Sequence, residues 1–134
     1  MFNRKHSKPP NRIDTLIGAG TVIDGNIAFS GGMRIDGQVN GNVTAEGDKP
    51  STLVLSEQGV VNGDVSVAYL VVNGAIRGCV AADEYLELHA KARVTGDVRY
   101  KTLEIQLGGM LEGRLIHRDS ADAENVLAFK SNIS

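Results

Sequence analysis

Histidine, cysteine and clustered acids are the side chains most able to do chemistry, and this chain spreads them thinly. Its three histidines, His6, His89 and His117, stand far apart, without the close spacing from which a zinc site draws its ligands. His6 falls in a basic terminal stretch, His89 follows Leu88 at an outward position, and His117 lies beyond the last repeated unit; all three read as surface histidines. The lone cysteine, Cys79, has no histidine or second cysteine beside it and reads as a reduced thiol. Asp83, Glu84 and Glu87 sit close together, but general acid–base work needs a partner base and a pocket. Without either, they read as a solvated face. The segment GDKPST at 47–52 approaches a phosphate loop, yet it lacks the G-x-x-x-x-G-K-[ST] spacing and sets Pro50 where a helix should begin. No catalytic residue, metal site, cofactor or nucleotide is expected.

The spacing that stands out is structural. The pattern apolar, any, Gly, any, apolar occurs at Ile23, Val39, Val61, Ile76, Val94 and Leu111, with starts 16, 22, 15, 18 and 17 residues apart. A second marker keeps step with it: an apolar pair precedes most of the pentapeptides, as Met33/Ile35, Leu53/Leu55, Leu70/Val72, Leu86/Leu88 and Leu103/Ile105. The 22-residue step contains AEGDKPST at 45–52, a turn-rich insertion that reads as a loop bulging from the third unit. A period of roughly seventeen residues is the signature of a repeat architecture.

Within both markers apolar and polar residues alternate, which is the period of a strand with one buried face. The glycines then sit inside where no side chain fits, or at a corner. AADEYLELHAKA, at 81–92, would pass for a helix by composition, but Leu86 and Leu88 fall in phase with the other pairs, and the register decides for strand. Three short strands per unit make one coil of a solenoid. Six coils at about 4.8 Å each give a rod roughly 29 Å long. The interior ladders are Ile23, Val39, Val61, Ile76, Val94 and Leu111, and one step on, Ile27, Val43, Val65, Val80, Val98 and Leu115. The fold is an all-β, single-domain parallel β-helix of about six coils.

Composition agrees. A chain of 134 residues is one domain. Its 16 glycines exceed the usual share of about 7%, and with 4% aromatics and no Trp the core must be a narrow one of Val, Ile and Leu. A single cysteine excludes an internal disulfide framework and fits a reducing compartment. The longest apolar run, Val67 to Val72, is far short of a membrane span, and the N-terminus MFNRKHSKPPNR has no apolar core of a secretory signal.

The tract RIDTLIGAGTVIDGNIAFSGGMRIDGQVNGNV (Arg12 to Val43), the later G-D-V and G-C-V units, and the MF start with basic residues resemble the bactofilins, bacterial cytoskeletal proteins. The resemblance covers about residues 1–116. It implies a right-handed, triangular β-helix with flexible tails at both ends, here a basic tail at 1–12, the β-helix at 13–116 and a C-terminal tail at 117–134. It also implies nucleotide-free assembly into non-polar filaments, attachment to the cytoplasmic face of the inner membrane, and partners among cell-wall synthetic or hydrolytic enzymes. No nucleic-acid partner is expected.

Elementary physics points toward the same activity. A solenoid end exposes unpaired N–H and C=O groups and a cross-section of its interior, which soluble solenoids cover with polar caps. No cap is evident here. Each unmade hydrogen bond costs ~1 kcal/mol net, and end-to-end stacking recovers it; contacts between opposite ends propagate instead of closing. The expected polymerisation residues are Leu16, Ile17, Ile23, Ile27 and Phe29 at one end, and Leu103, Ile105, Leu107, Leu111, Leu115 and Ile116 at the other. The alternative is that Ala123–Phe129 folds back as a short helical cap.

Residues 1–12 hold four cations, Arg4, Lys5, Lys8 and Arg12, and no acid, whereas the remainder holds 10 basic and 16 acidic residues. A basic tail tipped by Met1 and Phe2 suits an anionic bilayer, with Arg4, Lys5 and Lys8 among the headgroups. One such tip is weak, but a filament displays many. Tyr69 and Tyr85 should stack on adjacent coils, in a column with Thr52 and Thr102 and beside outward Val54 and Val71. That is a possible partner face or lateral contact, or merely a ladder that steadies neighbouring strands. The competing classes are a hexapeptide-repeat β-helix of the acyltransferase kind, which keeps near eighteen residues per coil and places histidines at subunit clefts, and a monomeric membrane adaptor.

Overall fold

The computed structural model of the chain describes residues 12–47, 50–117 and 126–132, which carry sixteen strands and no helix. The first coil is β1 (Thr15–Ile17), β2 (Val22–Asp24) and β3 (Ile27–Phe29); the second is β4 (Gly32–Ile35), β5 (Gln38–Asn40) and β6 (Val43–Ala45). The third holds β7 (Thr52–Leu55), β8 (Val60–Asn62) and the start of β9 (Val65–Val72), which turns a corner without a break and opens the fourth coil. Then come β10 (Ala75–Arg77), β11 (Val80–Leu88, again shared by two coils), β12 (Arg93–Thr95), β13 (Val98–Tyr100), β14 (Leu103–Ile105) and β15 (Met110–His117). Each strand pairs in parallel with its counterparts in adjacent coils, so this is a parallel β-solenoid of six turns with three faces. Residues 81–88 of the helix-like tract lie in β11 and 89–92 form the turn after it, because its leucines gain more from burial in register than the local preference for helix offers.

Both interior ladders form as the repeat requires, from Ile23 to Leu111 and from Ile27 to Leu115. A third, Ile17, Ile35, Leu55, Val72, Leu88 and Ile105, lines the remaining face. Ile35, Val39, Leu55, Val61, Val72, Ile76 and Leu88 are wholly buried. At about 1.5–3 kcal/mol for each fully buried aliphatic side chain, these ladders are the main term holding the coils together.

The repeated glycine stands at a corner. A Cβ on Gly41 would lie 2.1 Å from the Gly25 carbonyl oxygen, and the same clash recurs at 2.2 Å for Gly63 on Gly41 and for Gly78 on Gly63. Stacked backbones leave no room for a side chain there. Beside this column run two polar ladders. Asn40 Nδ2 donates to Asp24 Oδ1 at 2.8 Å, Asn62 Nδ2 to Asn40 Oδ1 at 2.8 Å and Arg77 Nη1 to Asn62 Oδ1 at 3.1 Å. On the other side, the backbone N–H groups of Asn42, Asp64 and Cys79 donate to Asn26, Asn42 and Asp64 of the preceding coil. The N and D letters of VNGNV and VNGDV are thus coil-to-coil fasteners.

Of the segment 117–134, expected as a C-terminal tail, the structure describes His117 and residues 126–132. β15 runs on to His117, and a further strand, β16 (Val126–Asn132), pairs antiparallel along it from Met110↔Asn132 to Ile116↔Val126. The short helical cap considered for Ala123–Phe129 is replaced, over the described residues, by a strand. The exposed edge of β15 offers a row of free N–H and C=O groups, and an extended segment satisfies them where a helix could not.

Candidate polymerisation surfaces

The two ends of the rod are built differently. At the N-terminal end, β1, β2 and β3 each pair on one side only, with β4, β5 and β6; their outer edges have no partner among the described residues. Apolar side chains lie close to this edge. Leu16 is 59% exposed and Val22 57%, while Ile23, Ile27 and Phe29 are half-buried against the core. The glycines report the same openness. A Cβ added at Gly18 or Gly25 would meet nothing within 4 Å, whereas one on Gly37, a coil further in, would lie 2.6 Å from the Gly18 carbonyl oxygen.

At the C-terminal end, β16 occupies the outer edge of β15, and only β14 keeps a free edge among the described strands of the last coil. Leu103 and Ile105 on β14 are half-buried, and Leu107 in the following turn is 70% exposed.

The residues expected at the ends therefore divide. Ile23, Ile27, Phe29, Leu103, Ile105 and Leu107 lie on terminal coils where they can reach a neighbour. Ile17 is buried within the first coil. Leu16 registers with Arg34 and belongs to an outward column; strand alternation makes it a side-face residue. Leu111 and Leu115, expected at an open end, are 2% and 5% exposed and sit on a strand whose edge is already paired. Ile116 registers with Arg99 on the outside of the face that carries the Ile27–Leu115 ladder. Met1, Phe2, Arg4, Lys5 and Lys8, the expected membrane contacts, lie outside the described residues.

The aromatic column is present but not as an exposed face. Tyr69 and Tyr85 register with each other, their ring centroids 6.4 Å apart, and Tyr69 with Thr52. Tyr85 is only 6% exposed, and its hydroxyl lies 2.7 Å from both Glu87 Oε1 and Glu104 Oε1, which share its single proton. Burial first, then these two carboxylates, push the phenol far above its ordinary pKa. Glu87 Oε2 also meets His89 Nε2 at 2.6 Å. Val54 and Val71 are half-buried on the outer face. His117 is not outside the repeat: it ends β15, its ring 5.4 Å from that of Tyr100.

Cys79 is exposed, as its slot in the repeat requires. Among the described residues no group of His, Cys, Asp and Glu could hold a metal ion.

A six-coil parallel solenoid whose first coil has no outer neighbour among the described residues defines a structural module. The family comparison agrees. A family model described as bactofilin, polymer-forming cytoskeletal, matches residues 15–116, and the chain belongs to that family, whose members are cytoskeletal structural proteins and not enzymes. It is 30% identical over 125 residues to bactofilin BacP of Myxococcus xanthus, covering 92% of this chain and 49% of the relative, so it spans about half of that protein's length. It is 28% identical over 102 residues to bactofilin BacO of the same organism, covering 76% of this chain and 78% of BacO. A crystal structure of a point mutant of the bactofilin from Thermus thermophilus matches with a TM-score of 0.62 at 30% identity, covering 69% of this chain and 98% of that one.

Proposed function

We propose that this chain polymerises end to end, without nucleotide, into filaments on the cytoplasmic face of the inner membrane, and that these filaments hold cell-wall synthetic or hydrolytic enzymes in place. The observation that carries the reading is the first coil: three strands whose outer edges have no partner among the described residues, beside Ile23, Ile27 and Phe29. Another copy would satisfy those edges and cover the apolar cross-section, at ~1 kcal/mol net per hydrogen bond with burial added. The description of the family as polymer-forming supports the same act. One open end yields only pairs. A filament needs both ends, so growth has to use the free edge of β14, or displace β16 from β15, as well as the N-terminal coil.

The tail supports the membrane half. Four cations and no acid in residues 1–12, behind Met1 and Phe2, precede a net acidic body. Each cation adds about 1 kcal/mol near an anionic surface, and a polymer multiplies a weak anchor.

Electron microscopy of the purified full chain, with and without nucleotide, tests the first half: filaments in both are expected, and discrete particles in both would discard it. Flotation of assembled protein with anionic liposomes, against protein lacking residues 1–8, tests the second. Equal flotation removes the anchoring role.

A further inference from the structure

One outer face carries a charge pattern that polymerisation does not use. Down the column of outward residues run Leu16, Arg34, Val54, Val71, Glu87 and Glu104, one per coil. The next outward column contains Asp36, Ser56, Asn73 and His89, each following its coil's inward aliphatic and fixed by a backbone bond to the coil before. Two close side-chain pairs lie across these columns. On the second coil Arg34 Nε meets Asp36 Oδ1 at 2.8 Å; on the fifth, Glu87 Oε2 meets His89 Nε2 at 2.6 Å. Their carboxylates lie in opposite columns: Asp36 stands in the second column on coil two, and Glu87 in the first column on coil five. Between them lies a shallow depression of about 430 Å³, floored by Val54, Val71, Ser56 and Asn73.

This pattern is self-complementary. Let a second copy face the first, turned about an axis parallel to the strands that passes between coils three and four. Coil two then meets coil five, and coil three meets coil four. Arg34 faces Glu87 of the other copy, Asp36 faces His89, Val54 faces Val71 and Ser56 faces Asn73. Each carboxylate of the two pairs faces a nitrogen-bearing side chain, Glu87 the Arg34 guanidinium and Asp36 the His89 imidazole. The symmetry makes each contact twice, and at the margin Leu16 faces Glu104. Asp36 is held below the usual carboxylate range, mainly by its bond to Arg34, so it presents a full negative charge.

We propose that this face is a lateral contact between two copies of the chain lying antiparallel, through which filaments pair; it therefore rests on the polymerisation reading above. Size decides that pairing belongs to filaments and not to free subunits. A face about 13 Å wide and about 29 Å long buries roughly 400 Å² per partner, half of the ~800 Å² of a stable protein complex. A lone pair of molecules falls apart, and a row of subunits joined lengthwise holds by repetition.

The test is negative-stain microscopy of the full chain at low and high salt. Paired filaments at low salt that separate into single ones at high salt are expected, since the contacts are exposed charges. Arg34→Glu should give single filaments at both, with unchanged circular dichroism. The fourfold reversal Arg34→Glu, Asp36→Arg, Glu87→Arg and His89→Glu keeps every opposition and should restore pairing. Wild-type filaments that stay single at low salt, or Arg34→Glu filaments that still pair, overturn the lateral contact and leave polymerisation standing. A wild-type chain that forms no filament overturns polymerisation, and the lateral contact with it.

Discussion

The N-terminal and C-terminal coils are built from one repeat and finished differently. At the first coil the outer edges of three strands have no partner among the described residues; at the last, β16 runs back along β15 and closes that edge within the same chain. The difference teaches that an end of a solenoid is set by the residues outside the repeat, since the interior ladders are alike at both. It also makes the two ends unequal in their gain from a second molecule. The first stands to gain pairing on three sides. The last gains it at once only along β14.

The largest effects should come from treating a closed position as though it were open. Leu111→Lys sets an ammonium into a 2%-exposed site and is expected to cost about 3 kcal/mol or more, lowering the melting temperature of the unassembled protein by about ten degrees or more. A soluble variant with native stability would move Leu111 back to an accessible surface. Gly63→Ala meets a carbonyl at 2.2 Å and is expected to cost about 2–3 kcal/mol, whereas Gly18→Ala, with open space before it, should leave stability within about 0.5 kcal/mol. Equal melting curves would erase the contrast between stacked and open corners.

Next in size is the closing strand. Removing residues 118–134 frees the edge of β15, and the concentration needed for pelleting should fall about tenfold, the equivalent of ~1.4 kcal/mol. A truncated chain that pellets less well than its parent would make β16 part of the assembled structure and not a cover. Smaller again is Leu107→Lys. Its side chain is exposed beside the free edge of β14, so pelleting should weaken two- to fivefold with no change in melting.

The smallest effect is one of pH. Asp97 is held below the usual carboxylate range by its hydrogen bond to Arg114, with smaller help from the Arg114 backbone and from nearby positive charge. A lowered folded-state value contributes stability above the ordinary carboxylate pKa of about 3.9 and loses it as pH falls through the lower value. Acidification should therefore loosen the tie between the fifth and last coils, seen as faster amide exchange in β15; exchange that slows on acidification, after correction for the intrinsic rate, would reject the tie.

Legibility in the letters depends on the information a repeat encodes. The inward ladders are legible because identical positions recur at one period, and AADEYLELHAKA yields to that period despite its helical composition. The corner role of glycine is one of two options, and only the carbonyl above each Cα selects it. Leu16 precedes the first complete marker, so nothing in the sequence fixes which of Leu16 and Ile17 faces inward. Leu111 and Leu115 do belong to the last coil, but they lack the accessibility expected of them: β16 runs along the outer edge of their strand, whereas their counterparts Ile23 and Ile27, on strands with no outer partner among the described residues, are only half-buried. The segment of β16 is legible as one that could fold back, but its strand form is not, since an antiparallel strand copies no letter of the repeat. The burial of Tyr85 needs the third dimension, where Glu104 reaches it from the adjoining coil.

The parallel stack has one more consequence. Each turn rests on the one beneath through the same fasteners at the same height, so a whole turn could be inserted or removed in the middle without disturbing either terminus. Subunit length can then vary as a ruler gains or loses graduations, while the joints between subunits stay as they were.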